Sequence, residues 1–296
     1  MKFVLIALVA LMPFVMSSIH PVNHEMVESI KESTSSWTPM EPEENPFYFV
    51  PVEQIKSMMG AKLTVYEDNA EDLGIQVPTD FDARQQWGSK VHAIRNQGQC
   101  GSCWAFGATE ALTDRLAITG KADVVLSPQH LVSCDRGNYG CNGGYLNVAW
   151  NFMHSTGVVS DKCYPYTSGS TGKDGQCFSS CQDGSSWTLH HSASTTTTSS
   201  VSKTQQAIMT DGPVEAAFTV YEDFMSYKSG VYHHTSGSML GGHAIKAIGW
   251  GTTSAGEDYW IMSNSWGTSW GDSGFFKIRR GDCGINNQMT YSSATD

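Results

Sequence analysis

Eight cysteines stand at positions 100, 103, 134, 141, 163, 177, 181 and 283, and none precedes residue 100. A chain divided in this way has a first stretch that must fold without cross-links. It also has a body that can be stapled, provided it folds where disulfides form. The opening residues meet that condition. Met1-Lys2 is a small basic start, Phe3 to Val15 is apolar apart from Pro13, and Met16-Ser17-Ser18 offers small residues for cleavage. An apolar run of about 13 residues falls short of the roughly 20 that span a bilayer. Residues 1–17 therefore read as a cleaved signal peptide rather than a membrane anchor. This directs the chain into the secretory pathway, towards a lysosome-like or endosomal vacuole, the exterior, or both.

Residues 18–76 carry eleven acidic side chains against three lysines, most of the net charge of −11. Pro39, Pro42, Pro46 and Pro51 interrupt any long helix there. Asn23–Ile30 and Val52–Met59 are expected to be short helices. We read residues 18–77 as a removable inhibitory propeptide and 78–296 as the mature body, with maturation between Asp72 and Asp80. The acidic excess suggests an ionic hold on the body that protonation below about pH 4–5 would weaken. A negative chain without a basic run is a poor ligand for nucleic acid or for an anionic membrane.

The body is dense in glycine, tryptophan and cysteine from Gln97 onward. Apolar residues at 104, 105, 108, 111, 112 and 116 predict a helix over Trp104–Ile118. Ser127-Pro128 opens a second helix, and Tyr145–His154 reads as a third. Later, Val214–Val220, His243–Trp250, Asp258–Ser263 and Gly274–Ile278 read as strands separated by glycines. The Ser/Thr-rich stretch Ser192–Ser202 reads as an exposed strand or loop. The class is α+β, with a helical half at about 88–185 and a β-rich half at about 186–296.

Chemistry is concentrated at Gln97-Gly98-Gln99-Cys100-Gly101-Ser102-Cys103-Trp104. A cysteine opening a helix feels the positive end of the helix dipole, which favours thiolate and so nucleophilicity. The base is His243 in Gly241-Gly242-His243-Ala244, where the glycines let another chain approach. Asn264, in Asn264-Ser265-Trp266, can orient the imidazole by accepting from one ring nitrogen. Trp266 can shield that bond from water. The Gln97 side-chain amide and the Cys103 backbone N–H can together bind a tetrahedral oxyanion.

Cys-Gly-Ser-Cys-Trp, with a histidine 140 residues downstream, resembles the active-site signature of papain-like proteases. Phe81-Asp82-Ala83-Arg84, Gly140-Cys141-Asn142-Gly143-Gly144-Tyr145, Gly212-Pro213-Val214-Glu215, Tyr227-Lys228-Ser229-Gly230-Val231-Tyr232 and Trp270-Gly271-Asp272 make the chain most similar to the cathepsin B-like branch, including the Giardia type. The resemblance covers roughly 78–290. It implies a cysteine-type endopeptidase with a two-domain papain-like fold. The left domain would be helical, the right domain β-barrel-like, and the cleft would lie between them. It also implies the pairs Cys100–Cys141, Cys134–Cys177 and Cys163–Cys181, with Cys103 and Cys283 free.

Substrate would meet Gly143, Gly144, Tyr145, Leu146, Ala217, Gly242, Ala244 and Trp266. Gln288 would stand where relatives carry a glutamate at the base of the pocket for the residue two before the cut. Phe47-Tyr48 and Met58-Met59-Gly60 of the propeptide would cross the cleft. The stretch from Cys163 to Cys177, with 13 residues between, corresponds to the occluding loop of cathepsin B but holds no histidine. An open cleft and internal cleavage follow from that. The resemblance further implies a monomer acting on protein and peptide substrates, inhibited by its own propeptide and by cystatin-type or E-64-type compounds, and needing no cofactor.

Other readings of the same residues are a silent binding module on the same fold, a redox pair made of Cys100 and Cys103, and a zinc site. The last would need a second ligand pair at geometric spacing. His190-His191 and His233-His234 have no such relation to the cysteines, so no metal is expected.

Overall fold

The computed structural model describes residues 20–66 and 76–295. The expected signal peptide and residues 72–75 of the expected maturation segment lie outside the described residues. Within the leader, helix α1 spans His24–Ser33, strand β1 Trp37–Pro39 and helix α2 Val52–Ser57. Asn23 starts α1 by accepting from the Met26 N–H through its side chain. Strand β2 (Phe81–Asp82) and helix α3 (Ala83–Trp87) open the body. The helical half follows with α4 (Cys103–Ile118), α5 (Pro128–Cys134), α6 (Leu146–Ser155) and the short α7 (Ser168–Thr171). Ser127 caps α5 and Pro128 occupies its first turn, as the Ser-Pro pair predicts.

The β-rich half runs β3 (Thr196–Thr198), α8 (Val201–Asp211), β4 (Val214–Tyr221), β5 (Tyr227–Tyr232), β6 (Met239–Thr252), β7 (Asp258–Ser263), β8 (Phe275–Arg279) and β9 (Met289–Tyr291). Strand order is β1-β5-β8-β7-β6-β4-β9-β3, with β2 paired to β6 off this path. Among the strands of the described residues, β5 and β8 pair in parallel and the other pairs are antiparallel. This corrects the expectation of a barrel-like domain, because the sheet is open. It curls around an aromatic core that includes Phe218, Phe224, Tyr232, Trp260 and Phe276, but its end strands β1 and β3 do not pair. Strand β1 comes from the leader and extends the sheet beyond β5 through Trp37↔Gly230.

Helix α4 packs against both β4 and β6. Every residue from Cys103 to Ala117 is buried, including Glu110, Asp114 and Arg115. Strands β4 and β6 bring polar side chains of their own to this contact. Val214, Ala216 and Phe218 face the aromatic core, while Glu215 accepts from the Trp150 indole on α6 at 2.8 Å. On β6, Lys246 reaches Asp114 at 2.6 Å, and both are almost fully buried. The Arg115 guanidinium donates to the carbonyls of Ala207, Gly212, Pro213 and Ser292. The two halves are therefore joined by satisfied polar contacts as well as apolar ones.

The three disulfides, Cys100–Cys141, Cys134–Cys177 and Cys163–Cys181, are those the resemblance implies. Cys103 and Cys283 are free.

Removing one partner of a buried ion pair strands the other charge in a poor solvent, at a cost of about 3–5 kcal/mol. Asp114 keeps His92, which bonds it through both its backbone N–H and Nδ1. Lys246→Met is therefore expected to destabilise the protein by about 3 kcal/mol, the low end of that range. The shift in midpoint of urea unfolding checks it.

Candidate active site

Cys103 is the first residue of α4, so its sulfur sits at the positive end of a 16-residue helix. Across from it, β6 carries His243, fully buried and one residue from Ala244, which packs against Cys103. The loop after β7 brings in Asn264, also fully buried. Its Oδ1 accepts from the Ser265 N–H at 2.8 Å and from His243 Nε2 at 2.7 Å. Because a backbone N–H can only donate, that atom must be the amide oxygen. His243 therefore carries its hydrogen on Nε2, and Nδ1 is left as a lone-pair site. Nδ1 has no hydrogen-bond partner among the described residues. The Trp266 indole stacks on the imidazole at 4.7 Å and excludes water from its bond to Asn264.

Gln97 is buried and held at both ends. Its backbone N–H donates to Ser265 O at 2.8 Å, and its Oε1 accepts from Ser265 Oγ at 2.9 Å. That bond turns Nε2 outward as a donor. Nε2 donates to Cys100 O and to Met58 O, both at 2.9 Å. The Met58 carbonyl belongs to the leader, so a peptide oxygen already accepts from the side-chain amide expected to serve an oxyanion. Two contributors were not singled out in the sequence, the Ser265 hydroxyl and the Met58 carbonyl. The first is visible only as an ordinary residue inside the Asn-Ser-Trp run.

The leader continues across the cleft as an extended strand. Gly144 N donates to Gly60 O, Lys62 N donates to Gly144 O, and Ala61 N donates to Gly242 O, all within 3.0 Å. Gly60 lies so close to the nucleophile loop that a Cβ there would stand 1.9 Å from Gly101 O. Ala61 is buried with Cys103, Leu146, Ala217 and Ala244. Beyond it, Thr64 N donates to Gln288 Oε1 at 3.0 Å, beside a cavity of about 130 Å³ lined by Leu63, Ala217, Phe218 and Gln288. Gly143 meets Gly60 O and the Lys62 side chain, and Tyr145 stands half-exposed at the rim. Phe47 packs edge-on against Trp266 at 5.3 Å. Apart from Tyr145, the residues expected to meet substrate thus lie against the leader.

This filling sets the charge state. Burial pushes the Cys103 thiol up to about 11, against the opposing N–H groups of Ala244, Gly60 and Trp104. Burial also lowers His243 to about 4, which the Asn264 bond only partly offsets. With the cleft covered, thiol and imidazole are both neutral.

The ionic hold expected of the leader is slight over its described part, residues 20–66. Among the described residues one ion pair joins it to the body, Glu44–Lys228 at 2.9 Å, with both side chains well exposed. Such pairs contribute about 0–1 kcal/mol. Glu43 and Glu41 pair within the leader, with His24 and Lys31. The leader is held instead by buried apolar residues, among them Val22, Ile30, Trp37, Phe47, Ile55 and Met58, which join the core of the β-rich half.

A helix-borne thiol, an amide-oriented imidazole and an aimed side-chain amide define a cysteine peptidase, here with an inhibitory segment in its cleft. The sequence pattern described as "Papain family cysteine protease" matches residues 77–293, and the chain belongs to that family. It is 45% identical over 235 residues to "Cathepsin B" of Dictyostelium discoideum, covering 74% of this chain and 75% of that one. It is 46% identical over 222 residues to "Cathepsin B-like CP3" of Giardia intestinalis, covering 72% and 74%. Among solved structures, "proCathepsin B S9 from Trypanosoma congolense" superposes with a TM-score of 0.85 at 26% identity, over 94% of this chain and all of that one. The chain is a cathepsin B-like thiol protease in its zymogen form.

The depressed His243 gives the zymogen a proton linkage. Its folded value of about 4 lies below the ordinary 6.5, so protons bind more strongly when the cleft is opened or the chain unfolds. The stabilisation from keeping it neutral is complete above pH 6.5 and is lost as pH falls towards 4, at most about 3 kcal/mol. Melting temperatures of a Cys103→Ser zymogen measured from pH 7 to pH 4 are expected to fall more steeply than those of Cys103→Ser/His243→Asn. Equal slopes would refute the linkage.

Proposed function

We propose that Cys103, His243, Asn264 and Gln97 carry peptide-bond hydrolysis once the leader departs. The observation that supports this best is the Met58 carbonyl received by Gln97 Nε2. It is a peptide oxygen bound where a reacting carbonyl oxygen would need a donor. With the cleft open to water, the Cys103 proton passes to His243 Nδ1. The thiolate attacks the scissile carbonyl carbon, and the oxyanion accepts from Gln97 Nε2 and the Cys103 N–H. Imidazolium His243 gives its proton to the leaving amine as the C–N bond breaks, leaving a thioester. His243 then takes a proton from water, the hydroxide attacks the thioester, and the carboxylic acid product leaves as the thiol is restored.

The leader escapes cleavage through its direction. With the Gln288 pocket taken as the site for the residue two before the cut, a substrate runs from that pocket towards Gln97. The leader runs the other way, from Met58 at Gln97 to Thr64 at Gln288. On this reading residues 1–17 are removed first, 18–77 form the propeptide, and 78–296 form a monomeric peptidase sensitive to cystatin-type and E-64-type inhibitors. Its site of action is a vacuole of the endolysosomal kind or the exterior, reached by the secretory route.

The enzyme is proposed to cut internally. No histidine occurs between Cys163 and Cys181 to receive a substrate carboxylate. That segment packs back on the nucleophile loop through Gly169, and residues 172–180 are exposed. Gln288, neutral and buried beside Ala217, favours Leu, Val or an aromatic residue in its pocket over Arg.

Labelling of the acid-matured protein with E-64 tests the nucleophile. Modification at Cys103 with matching loss of peptide hydrolysis is expected, and unlabelled, folded protein would favour the silent binding module. On a substrate panel, Leu-Arg and Phe-Arg substrates are expected to outperform Arg-Arg, with little release of C-terminal dipeptides. Gln288→Glu should raise Arg-Arg turnover about tenfold relative to Leu-Arg, the scale of a charge-assisted hydrogen bond.

A further inference from the structure

The two oxyanion donors sit on separate pieces of backbone. Gln97 ends an extended approach, and the Cys103 N–H belongs to the first turn of α4. Neither piece alone fixes the distance between them, and the connecting loop is itself held from outside, by the Cys100–Cys141 disulfide and by Gly101 N donating to Cys141 O at 3.0 Å. One side chain touches both pieces. The Tyr166 hydroxyl donates to Gln97 O at 2.7 Å and lies 2.7 Å from Ser102 Oγ. Tyr166 has a single proton, committed to the carbonyl, so Ser102 is the donor to Tyr166. A relay therefore runs from the Ser102 hydroxyl through the Tyr166 hydroxyl to the Gln97 carbonyl.

Ser102 is fully buried at the N-cap position of α4, immediately before Cys103, and its hydroxyl makes no capping bond to the helix. The Tyr166 ring stands edge-on against Phe106, one helical turn along, at 4.7 Å. The same segment reinforces the clamp, because Gln99 N donates to Gly169 O at 2.8 Å. It also abuts the loop closely, since a Cβ on Gly98 would lie 2.5 Å from the Gly169 carbonyl oxygen.

We propose that Tyr166 is a positioning residue for the oxyanion hole, setting the spacing between the Gln97 amide and the Cys103 N–H through its bonds to Gln97 O and Ser102 Oγ. It touches neither substrate nor sulfur. Its effect should therefore fall on stabilisation of the tetrahedral oxygen and leave substrate affinity and thiolate reactivity alone. The inference rests on the reading of Gln97 and the Cys103 N–H as oxyanion donors.

The test uses the full chain, expressed as zymogen and allowed to mature, with Tyr166→Phe, Gln97→Ala and the double variant. Tyr166→Phe removes only the hydroxyl and keeps the ring against Phe106. Losing one such hydrogen bond is expected to lower kcat about tenfold, with KM within twofold of the parent. A peptide aldehyde, whose adduct carries the tetrahedral oxygen, should bind more weakly by the same factor, while alkylation of Cys103 by iodoacetamide keeps its rate.

Gln97→Ala should cost about a hundredfold or more in kcat, and the double variant little beyond that. An unchanged kcat in Tyr166→Phe beside a damaged Gln97→Ala overturns this proposal alone. An undamaged Gln97→Ala overturns the oxyanion reading and the proposal with it. Alkylation that slows in step with kcat assigns Tyr166 to general support of the loop and also overturns it. Should Tyr166→Phe fail to mature, Ser102→Ala cuts the other end of the relay with the same expectation, and an unchanged kcat there is decisive against it.

Discussion

Helix α4 has no face to solvent, and the architecture of the body follows from that. A helix buried all round must supply every polar group it carries with a partner from a neighbouring element. Asp114 takes Lys246 and His92, and Arg115 takes four carbonyls of the β-rich half. These bonds commit the two halves to one relative placement, and the cleft is the gap left at the N-terminal end of the helix. Glu110 is the exception. One of its oxygens has no partner, and burial lifts its carboxyl to about 7. Its charge is a cost near neutrality that an acidic compartment relieves, since protonation below that value removes it.

The same helix end explains why silence and activity are states of one arrangement. A dipole favours thiolate only while water or a counter-charge can stabilise the pair. The leader lays Gly60 and Ala61 over Cys103 and removes that water, so burial outweighs the dipole. Gln97 has its donor aimed and His243 its tautomer set before the leader leaves.

Much of this was legible in the sequence, for reasons that differ by element. Helix α4 and strands β4, β6 and β7 were legible as apolar stretches bounded by glycines, because burial is nearly complete there. The Cys103, His243, Asn264 and Gln97 set was legible because each sits in a motif whose neighbours are glycine, serine or tryptophan for steric reasons. Strand β1 was not legible, since three residues ending in proline carry no period and pair only because β5 offers an edge. Helix α8 was hidden in a polar run. Closure of the sheet depends on whether its end strands meet, which no local pattern records. Among the described residues, the seven acids of the leader make one ion pair to the body, because charge counts do not say where side chains point. Glu41 and Glu43 turn inward to their own segment.

Folding for this chain is also a problem of chemical selectivity. Six of its eight thiols are oxidised and two, Cys103 and Cys283, stay free, the first of them only three residues from Cys100. Thiol–disulfide exchange proceeds through the thiolate, and a sulfur pushed up to about 11 beneath Gly60 presents very little of it. The leader therefore serves as a protecting group in the synthetic chemist's sense. It masks the Cys103 sulfur while Cys100 is joined to Cys141.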